Sequence, residues 1–218
     1  MRRWLFVVLA AALGGCNMVV SDTPWFKTDD KAGGSALRDG VWASVGADCK
    51  FSPSDPFAQW PKCANGAVIH DHHVTFQSEN NDGQSQAAFI LSATRPPVWQ
   101  LQLAPDAKES PLPNIPHFFY LGIRPEHFDE GGRITAFKGW VVQCGPPPQE
   151  REIKITSEKD AGKLDSLVTH SPFPGVKVND MGSCNAESKD ALVNAAKLSE
   201  ALMNAQESPL QWVRDGEK

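Results

Sequence analysis

The segment PVWQLQLA, Pro97 to Ala104, constrains the fold more than any other. Trp99, Leu101 and Leu103 alternate with Gln100 and Gln102, and a period of two belongs to a strand with one packed and one wet face. Similar segments precede and follow it. LRDGVWASV opens the series at Val41. GAVIHDHHVTFQ reads as two short strands, Ala67–Ile69 and Val74–Gln77, around a polar bend. QAAFILSAT is apolar enough for a buried strand. HFFYLGIRP and GRITAFKGWVVQC are joined by EHFDEGG, whose Gly-Gly suits a hairpin. REIKITS adds another short strand, and LQWVRD is the candidate last one. PLPNIP and CGPPPQ interrupt the series. Proline has no amide to donate, so both belong on the surface as extended connections.

One segment has helical spacing: SCNAESKDALVNAAKLSEALMNAQ. Ala191, Ala195, Leu198, Leu202 and Ala205 recur at a period that puts a stripe of mostly small side chains on one face. Ser183 or Asn185 is the expected cap, and Glu187 and Asp190 suit the positive end of the helix dipole. The fold class is therefore α+β, mainly antiparallel β, with one C-terminal helix around residues 186–205. A barrel, an open sheet and a sandwich all remain compatible with this pattern.

Trp42, Trp60, Trp99, Trp140 and Trp212 are costly to expose, so most are expected in the core. In a barrel, those not packed at its base would line a cavity.

The amino terminus gives an address. Arg2-Arg3 precede ten uncharged residues, Trp4 to Leu13. As a helix these span about 15 Å, half of a bilayer core of roughly 30 Å. They suit a secretory signal rather than a membrane span. Leu13-Gly14-Gly15-Cys16 resembles the lipobox of bacterial lipoproteins. The resemblance implies cleavage before Cys16, a diacylglycerol on its sulfur and an acylated amino group. Several acyl chains at about 0.8 kcal/mol per buried methylene make a durable anchor. Asn17, where that family's inner-membrane members carry Asp, implies the outer membrane with the body facing the periplasm. The expected organisation is a signal peptide at 1–15, a polar lipidated tether at 16–36 and a single domain at 37–218. Trp25-Phe26 within the tether is expected either to dock onto the body or to touch the membrane interface.

Four cysteines follow Cys16: Cys49, Cys63, Cys144 and Cys184. An even count in an exported chain suggests two disulfides, for which three pairings exist. Pairing of neighbours, Cys49 with Cys63 and Cys144 with Cys184, is the favoured arrangement, worth about 3 and 4 kcal/mol by loop entropy. No Cys-x-x-Cys occurs, so these four are not read as metal ligands.

The charge excludes some partners. Removing Arg2 and Arg3 takes 21 basic side chains to 19 against 26 acidic ones, a balance of −7. With no basic run, the chain offers nucleic acid nothing to bind, and its membrane residence must come from the lipid. Gly40-Val41-Trp42 resembles the Gly-x-Trp of the lipocalins, which also carry a late helix. That resemblance implies a barrel whose Trp42 plugs the closed end beside a late arginine, for which Arg214 is the candidate.

Catalytic signals are sparse. There is no Gly-x-Ser-x-Gly, no His-Glu-x-x-His and no glycine loop for phosphate. Glu126-His127 with Asp129-Glu130 reads as a charged hairpin tip, and Ser183-Cys184 as a cap and a disulfide. His70 and His72 would share a face if Asp71 lay between them in a strand, as two ligands of one metal require. His117, His127 and His170 lie in or beside loops. The leading expectation is a non-enzymatic lipoprotein that binds an envelope protein or a small apolar ligand, with no cofactor, no metal and no catalytic residues. The alternatives are a periplasmic metal-dependent hydrolase using His70 and His72, or a purely structural envelope component.

Overall fold

The alternating segments do form strands, and the strands close on themselves. A computed structural model describes residues 17–27, 36–44, 49–77, 84–103, 117–147, 171–179, 182–202 and 208–216. The barrel strands are β2 (Gly40–Ala43), β3 (Ala67–His70), β4 (His73–Gln77), β5 (Gln84–Leu91), β6 (Val98–Leu103), β7 (Phe118–Phe128), β8 (Ile134–Val141) and β11 (Leu210–Arg214). Each is antiparallel to the next, in the order β7-β6-β5-β4-β3-β2-β11-β8, and β8 pairs back onto β7. The result is a closed eight-stranded antiparallel barrel, compatible with a lipocalin-like one. Closure leaves no long unpaired edge. A two-stranded hairpin, β9 (Val176–Val178) with β10 (Cys184–Ala186), and the helix α1 (Lys189–Glu200) intervene between β8 and β11. The mainly antiparallel fold with one late helix is thus as the sequence implies. No helix among the described residues is long and apolar enough to cross a membrane.

The antiparallel order separates the connections by length. Turns at 71–72, 92–97 and 129–133 lie at one end of the barrel. The longer connections, 44–66, 104–117 and 142–209, leave from the other end.

Inward-facing side chains fill the barrel. Trp42, Ile69, Val74, Phe89, Trp99, Leu101, Ile123 and Phe137 are all buried. Their rings form a chain: Trp42 to Phe137 at 5.6 Å, Phe137 to Trp99 at 5.7 Å and Trp99 to Phe89 at 5.4 Å between centroids. The last two contacts are edge-to-face, the arrangement the ring quadrupole favours. Trp42, Trp60, Trp99 and Trp140 are all buried, as the cost of exposing them requires, and Trp212 is half-buried.

Gly40 shows why the Gly-x-Trp pair sits where it does. Its φ is +138°, and an added Cβ would stand 2.3 Å from the Arg214 carbonyl and 2.5 Å from Trp212 Nε1. Trp212 therefore lies across the glycine, and its Nε1 donates to the Asp39 carbonyl. The guanidinium of Arg38 stacks on this ring at 3.6 Å. The stacking arginine is thus an early residue, not Arg214, and it covers Trp212 rather than Trp42. Arg214 turns outward and donates to the carbonyls of Pro53 and Asp55. The cause is register: after Trp212 the pairing with β2 shifts, so Arg214 faces the outer cover.

Two covers pack on the outside of the barrel, each braced by a disulfide. Residues 49–64 fold over Val41 and Ala43 with Phe57, Trp60 and Ala64. Cys49–Cys63 closes this segment, and the Gln77 amide donates to the carbonyls of Phe57 and Trp60. The second cover combines residues 17–27, the β9–β10 hairpin and α1 against β6, β7 and β8. Cys144–Cys184 joins the end of β8 to this cover.

Residues 17–27 correct the expectation of a tether. β1 (Val20–Ser21) pairs with Phe118 and Phe119 of β7, and Met18, Val19, Val20 and Phe26 are buried. The segment was polar enough to read as solvated, but those four side chains bind it to a sheet distant in sequence. Residues 28–35 and Cys16 lie outside the described residues, as do REIKITS and PLPNIP.

The helix is also rotated from expectation. Its buried face is Ala191, Leu192, Ala195, Ala196 and Ser199, whereas Leu198 and Leu202 are exposed. The small residues, not the leucines, let the axis approach the barrel. Trp140 lies between them, donating from Nε1 to the Ala196 carbonyl at 2.7 Å. The cap is Ser188, whose hydroxyl accepts from the Ala191 amide, because Cys184–Ala186 is a strand. Ser183 and Asn185 are therefore too early to cap it. Among the first-turn acids, Asp190 is in the helix and Glu187 pairs with Lys177.

Candidate functional site

Residues 22–27 run as a strap across the outer face of β5 and β6. One side chain pairs with the strap's backbone. The Gln100 amide accepts from the Phe26 N–H at 2.9 Å and donates to the Phe26 carbonyl at 3.0 Å. It thereby mimics the missing neighbour strand. This explains why Gln100, expected on the wet face, is only 2% exposed. The hydroxyl of Tyr120 meets that of Ser21 at the other end of the strap. Burial pushes Tyr120 from the usual 10.0 up to about 12, against the opposing effect of its hydrogen bonds.

Among the described residues, a groove of about 420 Å³ lies beside the strap. Phe26 and Phe118 wall one side, and Ala88 and Ile90 of β5 the other; Gln100 and Gln102 supply amides, and Pro24 and Lys27 form the rim. The alternation of β5 makes the groove apolar. Ala87, Phe89 and Leu91 point into the barrel, leaving Ala88 and Ile90 outside and half-buried. Such a site suits a small apolar body carrying a hydrogen-bonding group. Inside the barrel, Trp99 Nε1 is buried with no partner among the described residues, as is Trp25 Nε1 on the strap.

The histidines do not gather. Asp71 and His72 form the turn between β3 and β4, with φ of +44° and +62°, so His70 and His72 do not share a strand face. His70 Nδ1 lies 3.5 Å from Asp39 Oδ2 with both side chains exposed. His73 Nδ1 meets the Asp71 carbonyl, and the His72 ring stands edge-on to Phe89. Among the described residues, no group of three His, Cys, Asp or Glu side chains is placed to hold a metal ion. His117 and His127 are exposed, and His170 lies outside the described residues. Asp129 is a hairpin residue. Its carboxylate accepts from the amides of Arg133 and Gly131 and pairs with the Arg133 guanidinium; the Arg133 amide above all, then its guanidinium, holds the Asp129 carboxyl below the usual carboxylate range. Glu126 and Glu130 are exposed.

Sequence reasoning missed the groove. Its signal was faint: Phe26 eleven residues short of the first recognised strand segment, and two glutamines on one strand face. Compared with known proteins, the chain matches no family, no curated protein and no solved structure. What the fold and site define is a class: a closed antiparallel β-barrel with an apolar groove on its outer wall.

Proposed function

We propose that the chain is an outer-membrane lipoprotein, anchored through Cys16, that binds a small apolar ligand in the groove beside Phe26. The groove carries this reading. Its volume of about 420 Å³ falls within the range of small-molecule sites, roughly 300–1,000 Å³. The rings of Trp42, Phe89, Trp99 and Phe137 crowd the barrel interior, which favours a ligand seat outside the barrel wall. The lipobox at Leu13–Cys16 supports the anchor, and Asn17 supports the outer membrane with the body in the periplasm. The ligand is held by apolar contact and a hydrogen bond to the exposed amide of Gln102, and the protein carries out no reaction on it.

The test is titration of the purified protein with N-phenylnaphthylamine, a small apolar fluorophore. Saturable binding is expected, and Ala88→Trp, which fills the groove from an outward strand position, should weaken it tenfold or more. Far-UV circular dichroism of the variant should be unchanged. Absence of saturable binding, or equal affinity in a folded Ala88→Trp variant, would overturn the groove as the site. For the anchor, Cys16→Ser should abolish incorporation of labelled palmitate.

A further inference from the structure

The residue after the proposed lipid-bearing cysteine is fixed. The Asn17 amide donates to the Gly182 carbonyl at 2.9 Å, and its own carbonyl accepts from the Cys144 amide at 3.1 Å. Asn17 Nδ2 also donates to the Gly145 carbonyl at 3.1 Å. The next residue, Met18, is bridged to Gln143 and is buried. A single peptide unit, about 3.8 Å between Cα atoms, separates Cys16 from this anchorage. The acyl chains would therefore emerge directly from the barrel's shoulder, with no linker to let the body tumble.

The surface around that point has a character of its own. Pro146, Pro147, Ser171 and Pro172 are exposed, and the Phe173 amide donates to the Cys144 carbonyl, so both stretches flank Asn17. None of the described residues in 143–147, 171–175 or 182–183 is charged. Among the described residues these stretches therefore present no fixed charge for an anionic lipid surface to repel. The Cys144–Cys184 disulfide stiffens it from behind.

We infer that this uncharged shoulder lies against the lipid headgroups and holds the barrel in one orientation on the membrane. The inference rests on the anchor reading of the previous subsection. It assigns the shoulder a partner, a phospholipid surface. The turn at Asp71 and His72 points away. It belongs to β3 and β4, across the barrel from β7 and β8, and to the end with the short turns.

The experiment uses the full lipidated protein in vesicles of phosphatidylethanolamine and phosphatidylglycerol that carry a headgroup quencher. A fluorophore is attached at Pro146→Cys in one preparation and at exposed His70→Cys in another. Quenching should be severalfold stronger at position 146. A flexible Gly-Ser segment inserted between Cys16 and Asn17 should erase the difference while the protein stays membrane-bound. Equal quenching at the two positions in protein shown by mass to carry lipid would overturn the orientation and leave the anchor standing. Protein without lipid on Cys16 would overturn the anchor, and the orientation with it.

Discussion

Replacing Gly122 with alanine should loosen the helix from the barrel, and the size of the effect follows from one contact. Gly122 and Trp140 face each other across β7 and β8. A Cβ on Gly122 would stand 2.3 Å from Trp140 Cε2 and 2.4 Å from Nε1. The indole cannot yield freely, because Nε1 is bonded to the Ala196 carbonyl of α1. Overpacking of this kind costs about 1–3 kcal/mol, and losing the hydrogen bond adds about 1 kcal/mol. Gly122→Ala should therefore destabilise by roughly 2–4 kcal/mol. Trp140→Leu alone should also destabilise, through lost burial and the lost bond. Together the two should cost less than their sum by about 1–3 kcal/mol, since removing the indole vacates the space that the new methyl needs. The assay is urea unfolding of the four proteins, followed by far-UV circular dichroism. Additivity within about 0.5 kcal/mol, or a neutral Gly122→Ala, would show that the new methyl and the indole do not compete for one space.

Two further predictions concern stability. Removing Cys144–Cys184, which spans 40 residues, should cost about 4 kcal/mol, against about 3 kcal/mol for Cys49–Cys63, which spans 14; paired Cys→Ala variants in the same unfolding assay check both. Tyr120 is the only tyrosine in the chain, so tyrosinate absorbance reports it alone. Its midpoint should lie at about 12 in the native protein and return towards 10.0 in urea. Because the native value is the raised one, the associated stability is fully present below the unfolded value and lost as pH rises through about 12.

The strands were legible because their information is local. Trp99 and Leu101 face inward as their alternation requires, and Asp71-His72 is the polar bend between two apolar runs. The pairing of cysteines with their sequence neighbours is the one the structure contains. What escaped sequence reasoning depends on contacts distant in the chain. Val19 and Val20 are too few to set a period, yet they complete a cover with β7 and β10. Gln100 looks solvent-facing until Phe26, 74 residues away, takes both ends of its amide. The helix stripe failed for a different reason. Ala191 and Ala195 of the expected stripe are buried, but the buried face turns towards Leu192, Ala196 and Ser199 so that small residues meet Trp140 and β7, leaving Leu198 and Leu202 outside. The groove inherits both difficulties, since it exists only where the strap crosses β5 and β6.

The proposed attachment of this barrel to a membrane runs through Cys16. The most direct measurement is the intact mass of the native protein extracted from membranes, with fragmentation of its first residues. A chain beginning at Cys16 and carrying a diacylglyceryl group and an amide-linked acyl chain is the predicted result. An unmodified Cys16 thiol, or a mature chain that begins after it, would contradict the claim.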